Sequence, residues 1–195
     1  LEALGLTADD IDDVIITHLH YDHAGTLGSF PRARFHVQPA EMAYATGPCM
    51  CEDVLRKPFT GAHICEAVKA VFSGRVTFNE EDDVVADGIT VHRVGGHSKG
   101  LQVVRVKTAG GWMCLASDAT HYYENFLTRT PFPIVVDVEE MLRGYDRIQT
   151  LASRAEMIIP GHDPLVTELY PGFGTSGFVW RLDGGPTGTL PDSFT

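Results

Sequence analysis

Positive charge is scarce in this chain. Its 195 residues carry 15 Lys and Arg against 26 Asp and Glu, for a formal net charge of −11. A surface that tracks nucleic-acid phosphates needs clustered Lys and Arg, so no nucleic-acid partner is expected. Paired cysteines are missing too. Cys49, Cys51, Cys65 and Cys114 form no C-x-x-C pair, and a chain of this length needs no disulfides to hold its core. Reduced thiols are expected, with a C-x-C metal clip at Cys49 and Cys51 the weaker alternative. No apolar run approaches the roughly 20 residues of a membrane-spanning helix, so no membrane partner is expected. Repeats and linkers are absent. With 44% hydrophobic residues, the chain reads as one well-cored domain.

What is present in excess is histidine in one place. His18-Leu19-His20-Tyr21-Asp22-His23 reads H-x-H-x-D-H, three imidazoles and a carboxylate within six residues. The β-branched run Val14-Ile15-Ile16 before it predicts a buried strand, and Asp22-His23-Ala24-Gly25 predicts a turn opening a helix. The cluster therefore falls at the carboxyl end of a strand, where α/β folds place their sites. His18 and His20 alternate along extended chain and point the same way. Asp22 and His23 follow the turn and face a neighbouring point. This arrangement suits two metal ions side by side.

The remaining pattern is that of an α/β chain. Thr7-Ala8-Asp9-Asp10 predicts a short capped helix leading into a strand over Asp13 to Thr17. A second strand is expected over Ala33 to Val37, and Pro39 opens a helix through Glu41 and Tyr44. Ile64, Ala67, Val68, Val71 and Phe72 recur at helical spacing between Ala62 and Phe72. Three strands follow as a meander: Ile89 to Val94, Leu101 to Lys107, and Trp112 to Ser117. A helix over Val138 to Ala155 buries Met141, Leu142, Tyr145, Ile148 and Leu151, and Met157-Ile158-Ile159 forms a short strand. Glu80 to Asp83 reads as a solvated acidic turn. Residues 1–171 make the domain, and 172–195 read as a loosely held tail rich in Gly and Pro. His36, His63 and His92 fall inside element patterns and read as structural.

Three further side chains stand where a strand meets a turn. His97 follows Gly95-Gly96, Asp118 follows the strand ending at Ser117, and His162 follows Pro160-Gly161. With the first cluster they make five His and two Asp at strand ends. Nitrogen and carboxylate ligands without thiolates suit zinc, with manganese, cobalt or iron as alternatives.

H-x-H-x-D-H followed by His97, Asp118 and His162 in this order resembles the metallo-β-lactamase superfamily, from about Leu1 to Pro171. Within it, His20-Tyr21-Asp22-His23-Ala24-Gly25, Asp118-Ala119 with Glu124-Asn125-Phe126, and Gly161-His162-Asp163 most resemble the N-acyl-homoserine lactone lactonases. The resemblance implies an αββα sandwich with the site at one edge between the sheets. It implies His18, His20 and His97 on one metal, Asp22, His23 and His162 on a second, and Asp118 bridging them. It also implies hydrolysis of a small cyclic ester: a water shared by two ions attacks the ring carbonyl, and Asp22 relays the proton to the leaving oxygen.

The chain departs from the pattern in places. Family members carry strands upstream of the first motif, so a first sheet lacking N-terminal strands is expected. Leu101 stands where a second His is common. His121 occupies the position of a Tyr that helps hold the substrate carbonyl, with Tyr122 and Tyr123 next in line; a hydrogen bond from His121 to that carbonyl is the expected substitute. The rival readings are a glyoxalase-type thioester hydrolase, which calls for a basic patch that is not evident, and an inactive metal-binding fragment. Without a visible leader, a cytoplasmic location is expected.

Overall fold

The computed structural model describes residues 1–191 and contains two sheets. The first is parallel and three-stranded: β1 (Asp13–Ile15), β2 (Arg34–Val37) and β3 (Val76–Phe78), in that order. The second runs β4 (Asp82–Ala86), β5 (Ile89–Arg93), β6 (Gln102–Thr108), β7 (Gly111–Ser117) and β8 (Ile158–Pro160). It is antiparallel except where β8 lies parallel to β7. Helices α1 (Tyr21–Ala24), α2 (Pro39–Ala45), α3 (Asp53–Arg56) and α4 (Gly61–Phe72) fall within the first half. The second half carries α5 (Tyr123–Leu127), α6 (Val138–Leu151) and α7 (Val166–Leu169).

Each sheet has its own apolar core. Ile64, Ala67 and Ala70 of α4 pack with Ile16 and Phe35 of the first sheet region. Met141, Tyr145 and Ile148 of α6 pack with Val103, Met113, Cys114 and Ala116 of the second sheet. The layers therefore run helix, sheet, sheet, helix, the two-sheet α/β sandwich expected. Polar side chains join the sheets. Gln38 donates to Gln102 Oε1 at 2.9 Å, and Gln102 donates to the Ile16 and His36 carbonyls at 2.9 and 3.2 Å. Buried amides with every neighbour named in this way fix one register.

Helix α6 follows from its sequence at both ends. The Asp137 carboxylate accepts the Glu140 N–H at 2.9 Å as an N-cap, and Met141, Gly144, Tyr145, Ile148 and Leu151 form the buried stripe. It stops four residues short of the expected Ala155. Ser153 instead turns onto β7, donating to the Trp112 carbonyl and accepting the Trp112 N–H, each at 2.9 Å.

Strand β3 has no counterpart among the expected elements, and two further stretches differ from expectation. The acidic run is not a turn: Asp82 and Asp83 open β4, an edge strand whose side chains are mostly exposed and so carry no apolar alternation. Asp82 pairs with Arg147 and lies 3.2 Å from His92 Nδ1, while Asp83 accepts from Asn79 at 2.9 Å. The stretch after Tyr170, as far as it is described, is not loose. Trp180, Leu182 and Leu190 pack on the larger core, the Gly110 N–H donates to the Asp183 carbonyl, and the Thr187 N–H donates to Leu169. His36 is structural, held by Asp13 and Asn79 at 2.9 and 3.2 Å. No helix among the described residues is long and apolar enough to cross a membrane.

Candidate metal centre

The first cluster is set by the end of β1. Leu19 is fully buried in the smaller core, so His18 and His20 on either side of it turn the opposite way. His20 caps α1, its carbonyl accepting the N–H groups of His23 and Ala24 at 3.1 and 3.0 Å. That turn swings His23 back until its ring centroid lies 4.1 Å from that of His18.

The second sheet supplies the other donors through tight turns. Gly95 and Gly96 take φ of +64° and +83°, and Cβ atoms there would fall 2.2 Å from Glu140 Cδ and 2.6 Å from Met141 Cα. Only glycine lets this loop lie against α6 and aim His97 inward. Asp118 follows Ser117, which itself sits at φ +46°. Gly161 lets the β8 turn close over Asp118, since a Cβ there would lie 2.4 Å from Asp118 Oδ1. Gly161→Ala is therefore expected to displace that carboxylate and weaken metal retention roughly 10- to 100-fold, as loss of a ligand's support typically does. Metal analysis beside an unchanged circular-dichroism spectrum would read it; full retention would show that the carboxylate tolerates the methyl.

Asp118 is the hub. Its Oδ2 lies 3.3 Å from His97 Nε2, 3.9 Å from His18 Nε2 and 3.1 Å from His121 Nε2. Its Oδ1 lies 3.4 Å from His23 Nε2 and 3.3 Å from His162 Nε2. Asp22 completes the second side, its Oδ2 standing 3.6 Å from His23 Nε2 and 3.9 Å from His162 Nε2. The donor atoms of His18, His20 and His97 lie within 4.8 Å of one another, as do those of Asp22, His23 and His162. All seven expected ligands thus converge, and His121, also singled out in the sequence, stands beside them.

The electrostatics suit a cation. Burial, reinforced by the neighbouring imidazoles, holds His18 well below its usual pKa, and burial brings His20 down to about 3. Burial lowers His97 as well. These rings are neutral and keep a nitrogen lone pair at neutral pH. On His23 burial opposes charge, but Asp118 and Asp22 outweigh it and its pKa rises. Burial would raise Asp118, yet the imidazoles of His121, His23 and His18 hold it far below the carboxylate range. Nε2 of His18, His23 and His97 and Oδ1 of Asp118 are buried without a hydrogen-bond partner. Such orphans are rare in proteins, and converging lone pairs of this kind fit a divalent metal ion.

The opposite ring nitrogens are already committed. His97 Nδ1 donates to the Ile134 carbonyl at 2.6 Å, which leaves Nε2 as the lone-pair nitrogen. Thr17 Oγ1 lies 3.2 Å from His18 Nδ1 and 2.9 Å from Ser117 Oγ, and both hydroxyls lie 3.5 Å from His23 Nδ1. His121 lies flat on Phe132, ring centroids 3.4 Å apart and planes 9° apart. Tyr123 is core: fully buried, its hydroxyl donates to the Glu156 carbonyl and cannot serve the site. Beside His20 and His97 opens a cavity of about 400 Å³, walled by Tyr21, Val54, Leu55, Pro133, Ile134 and Val136. Lys57 is the one cation on its lining. The sequence reading missed Glu41, Thr17, Ser117 and the Ile134 carbonyl. Glu41 has no distinctive signal, since an acid in the first turn of a helix is ordinary and its burial shows only in the fold; a main-chain carbonyl leaves none either.

Fold and centre together define an α/β protein with a His- and Asp-lined metal centre drawn from both sheets. The family model of the metallo-beta-lactamase superfamily matches residues 1–162, and the chain belongs to that superfamily. It is 27% identical over 171 residues to a probable metallo-hydrolase of Mycobacterium tuberculosis, covering 84% of this chain and 55% of that protein. It is 28% identical over 184 residues to the N-acyl homoserine lactonase AttM of Azorhizobium caulinodans, covering 89% of this chain and 65% of that one. A solved N-acyl homoserine lactone hydrolase, with the product N-hexanoyl-L-homoserine at its catalytic metal centre, superposes with a TM-score of 0.71. That match is 27% identical and covers 86% of this chain and 62% of the other. The chain thus spans a little over half to two thirds of the length of these relatives.

Proposed function

We propose that this chain carries the centre of a metal-dependent hydrolase that opens a lactone ring, in an N-acyl-homoserine lactone or a related cyclic ester. The observation that carries the reading is the division of donors by the two Asp118 oxygens, next to an apolar cavity. His18, His20 and His97 form one donor set, and Asp22, His23 and His162 the other, with Asp118 shared between them. Two divalent ions, zinc first and manganese, cobalt or iron as alternatives, would supply Lewis acidity and a water activated near neutral pH.

The protein's own groups do the rest. The apolar wall from Val54 to Val136 holds a nonpolar acyl arm and keeps bulk water from the carbonyl. Asp22, exposed at the rim of its donor set, takes a proton on Oδ2 and returns it to the departing ring oxygen. His121, its plane fixed by Phe132, presents Nε2 beside Asp118 Oδ2, where a carbonyl oxygen entering the centre meets it. The wall's near-neutral character favours a neutral ester over a glutathione thioester, which would need more cations than Lys57.

A panel of lactones, thioesters and phosphodiesters, run on the metal-loaded protein, tests the reading. Ring opening of a homoserine lactone is expected to release one proton per turnover, visible with a pH indicator. Thioester turnover a hundredfold better by kcat/KM would move the chain to the glyoxalase type. No turnover of any class with metal bound would leave a metal-binding fragment. Within the same assay, His121→Ala should lower kcat with metal content unchanged. The loss should fall short of the roughly 10²- to 10³-fold typical of a sole oxyanion donor, because a metal polarises the same oxygen. Wild-type rates would confine His121 to holding Asp118.

A further inference from the structure

Glu41 is more completely buried than any other acid among the described residues, at 0% exposure, and it pairs with no Lys or Arg there. Gln38 stands extended before α2 and Pro39 opens it, which places Glu41 in the first turn facing the sheets. Both of its oxygens accept hydrogen bonds. Oε1 accepts the Leu19 N–H at 2.9 Å, while Oε2 accepts the Ser98 hydroxyl at 2.5 Å and the Gly100 N–H at 2.9 Å. Gly100 is pressed so closely on α2 that a Cβ there would fall 2.1 Å from the Glu41 nitrogen. A carboxylate buried with three donors and no direct ion pair, with Arg93 acting on it only at a distance, is costly unless the geometry it imposes is needed.

The identity of its partners supplies the need. Leu19 lies between His18 and His20, and Ser98 directly follows His97. One carboxylate therefore ties together the two chain segments that deliver the three imidazoles of the first donor set. It touches nothing that carries His162 inward, and it reaches Asp22 and His23 only through the chain that runs on from His20 into α1. We infer that Glu41 is a positioning residue for the first donor set: it fixes the spacing between the His18–His20 segment and the His97 loop, and so governs metal affinity there and not at the second set. The inference rests on the metal-centre reading above.

Glu41→Gln keeps the shape and removes one acceptor. Whichever way the amide sits, its NH₂ meets a backbone N–H, either of Leu19 or of Gly100, and one arm of the clamp opens. The test is cobalt(II) uptake by the full chain, followed by its absorption bands, with competition for zinc against a chromophoric chelator. Wild type should take up two equivalents. Glu41→Gln should weaken one of them about 10- to 100-fold, the usual cost of losing a ligand's outer support, and leave the other at its wild-type affinity. The cobalt bands of the weakened site should shift. Ser98→Ala, which removes a single donor and spares both main-chain contacts, should weaken the same site by less, and it keeps the test open should Glu41→Gln fail to fold. Equal weakening of both sites, or neither weakened in both variants, would overturn the inference by reducing Glu41 to general support. A wild-type chain that takes up no cobalt would instead overturn the metal-centre reading, and this inference with it.

Discussion

Asp118→Ala is expected to leave the chain with one metal equivalent and to lower kcat/KM by on the order of a thousandfold. Losing one Lewis-acidic ion removes several kcal/mol, at about 1.36 kcal/mol per tenfold. The reason lies in geometry: Oδ1 faces His23 and His162 while Oδ2 faces His97 and His18. No other carboxylate stands between the two donor sets among the described residues. Without it the second set has Asp22 as its only anion, and that group is exposed at the rim. Metal analysis and lactone kinetics on the same preparation would check the outcome. Two equivalents retained with near wild-type rates would dismiss the shared carboxylate and the dinuclear scheme with it.

Acid should unfold the chelator-stripped chain, and the sign can be worked group by group. His20 falls from 6.5 to about 3 in the folded chain, because burial disfavours its charge. Below pH 6.5 the unfolded chain takes up a proton that the folded chain refuses, so stability declines steadily down to about pH 3. At 1.36 kcal/mol per unit this group alone is worth at most about 5 kcal/mol. His18 and His97 are lowered too and act in the same direction. Asp118 adds to the loss only under about pH 4, since its stabilisation is present above its unfolded pKa and fades as pH falls. His23 opposes them: its raised pKa stabilises fully below 6.5 and is lost as pH rises through the folded value. A typical domain has about 5–15 kcal/mol in all, so the His20 share alone is a sizeable part of it. Urea midpoints of the stripped protein should drop between pH 7 and 4. A flat or rising profile over that interval would show that these rings protonate freely in the folded chain.

Much of this is legible in the sequence. The strand before His18, the meander from Ile89 to Ser117 and the stripe of α6 follow from period-two and period-3.6 patterns that burial enforces. The convergence of these side chains is legible because imidazoles and carboxylates where strands meet Gly-bearing turns have few structural uses. What failed was governed by partners distant in sequence. Edge strand β4 pairs on one side only and exposes both faces, so Asp82 and Asp83 looked like a turn. The early stop of α6 is set by Ser153 meeting Trp112, and the docking of residues 172–190 by a surface formed at Gly110 and Leu169. Pairing and docking of that kind have no local periodicity. The Ile134 carbonyl on His97 is the extreme case, since any residue supplies one.

The hub at Asp118 has a kinetic consequence. Apart from His121, three residues on, its neighbours come from residues 18–23, 97 and 162, so most of the donor ring beyond the first turn is non-local. Each closure restricts a long loop, and the non-local contacts form only after that entropic cost has been met. The ring should therefore be among the last things to assemble when the chain refolds. Until then the H-x-H-x-D-H segment is a flexible chelator that grips an ion weakly and lets it go. Tight retention then marks arrival at the native state, and added metal stabilises the finished fold by mass action while doing little to hasten its nucleation.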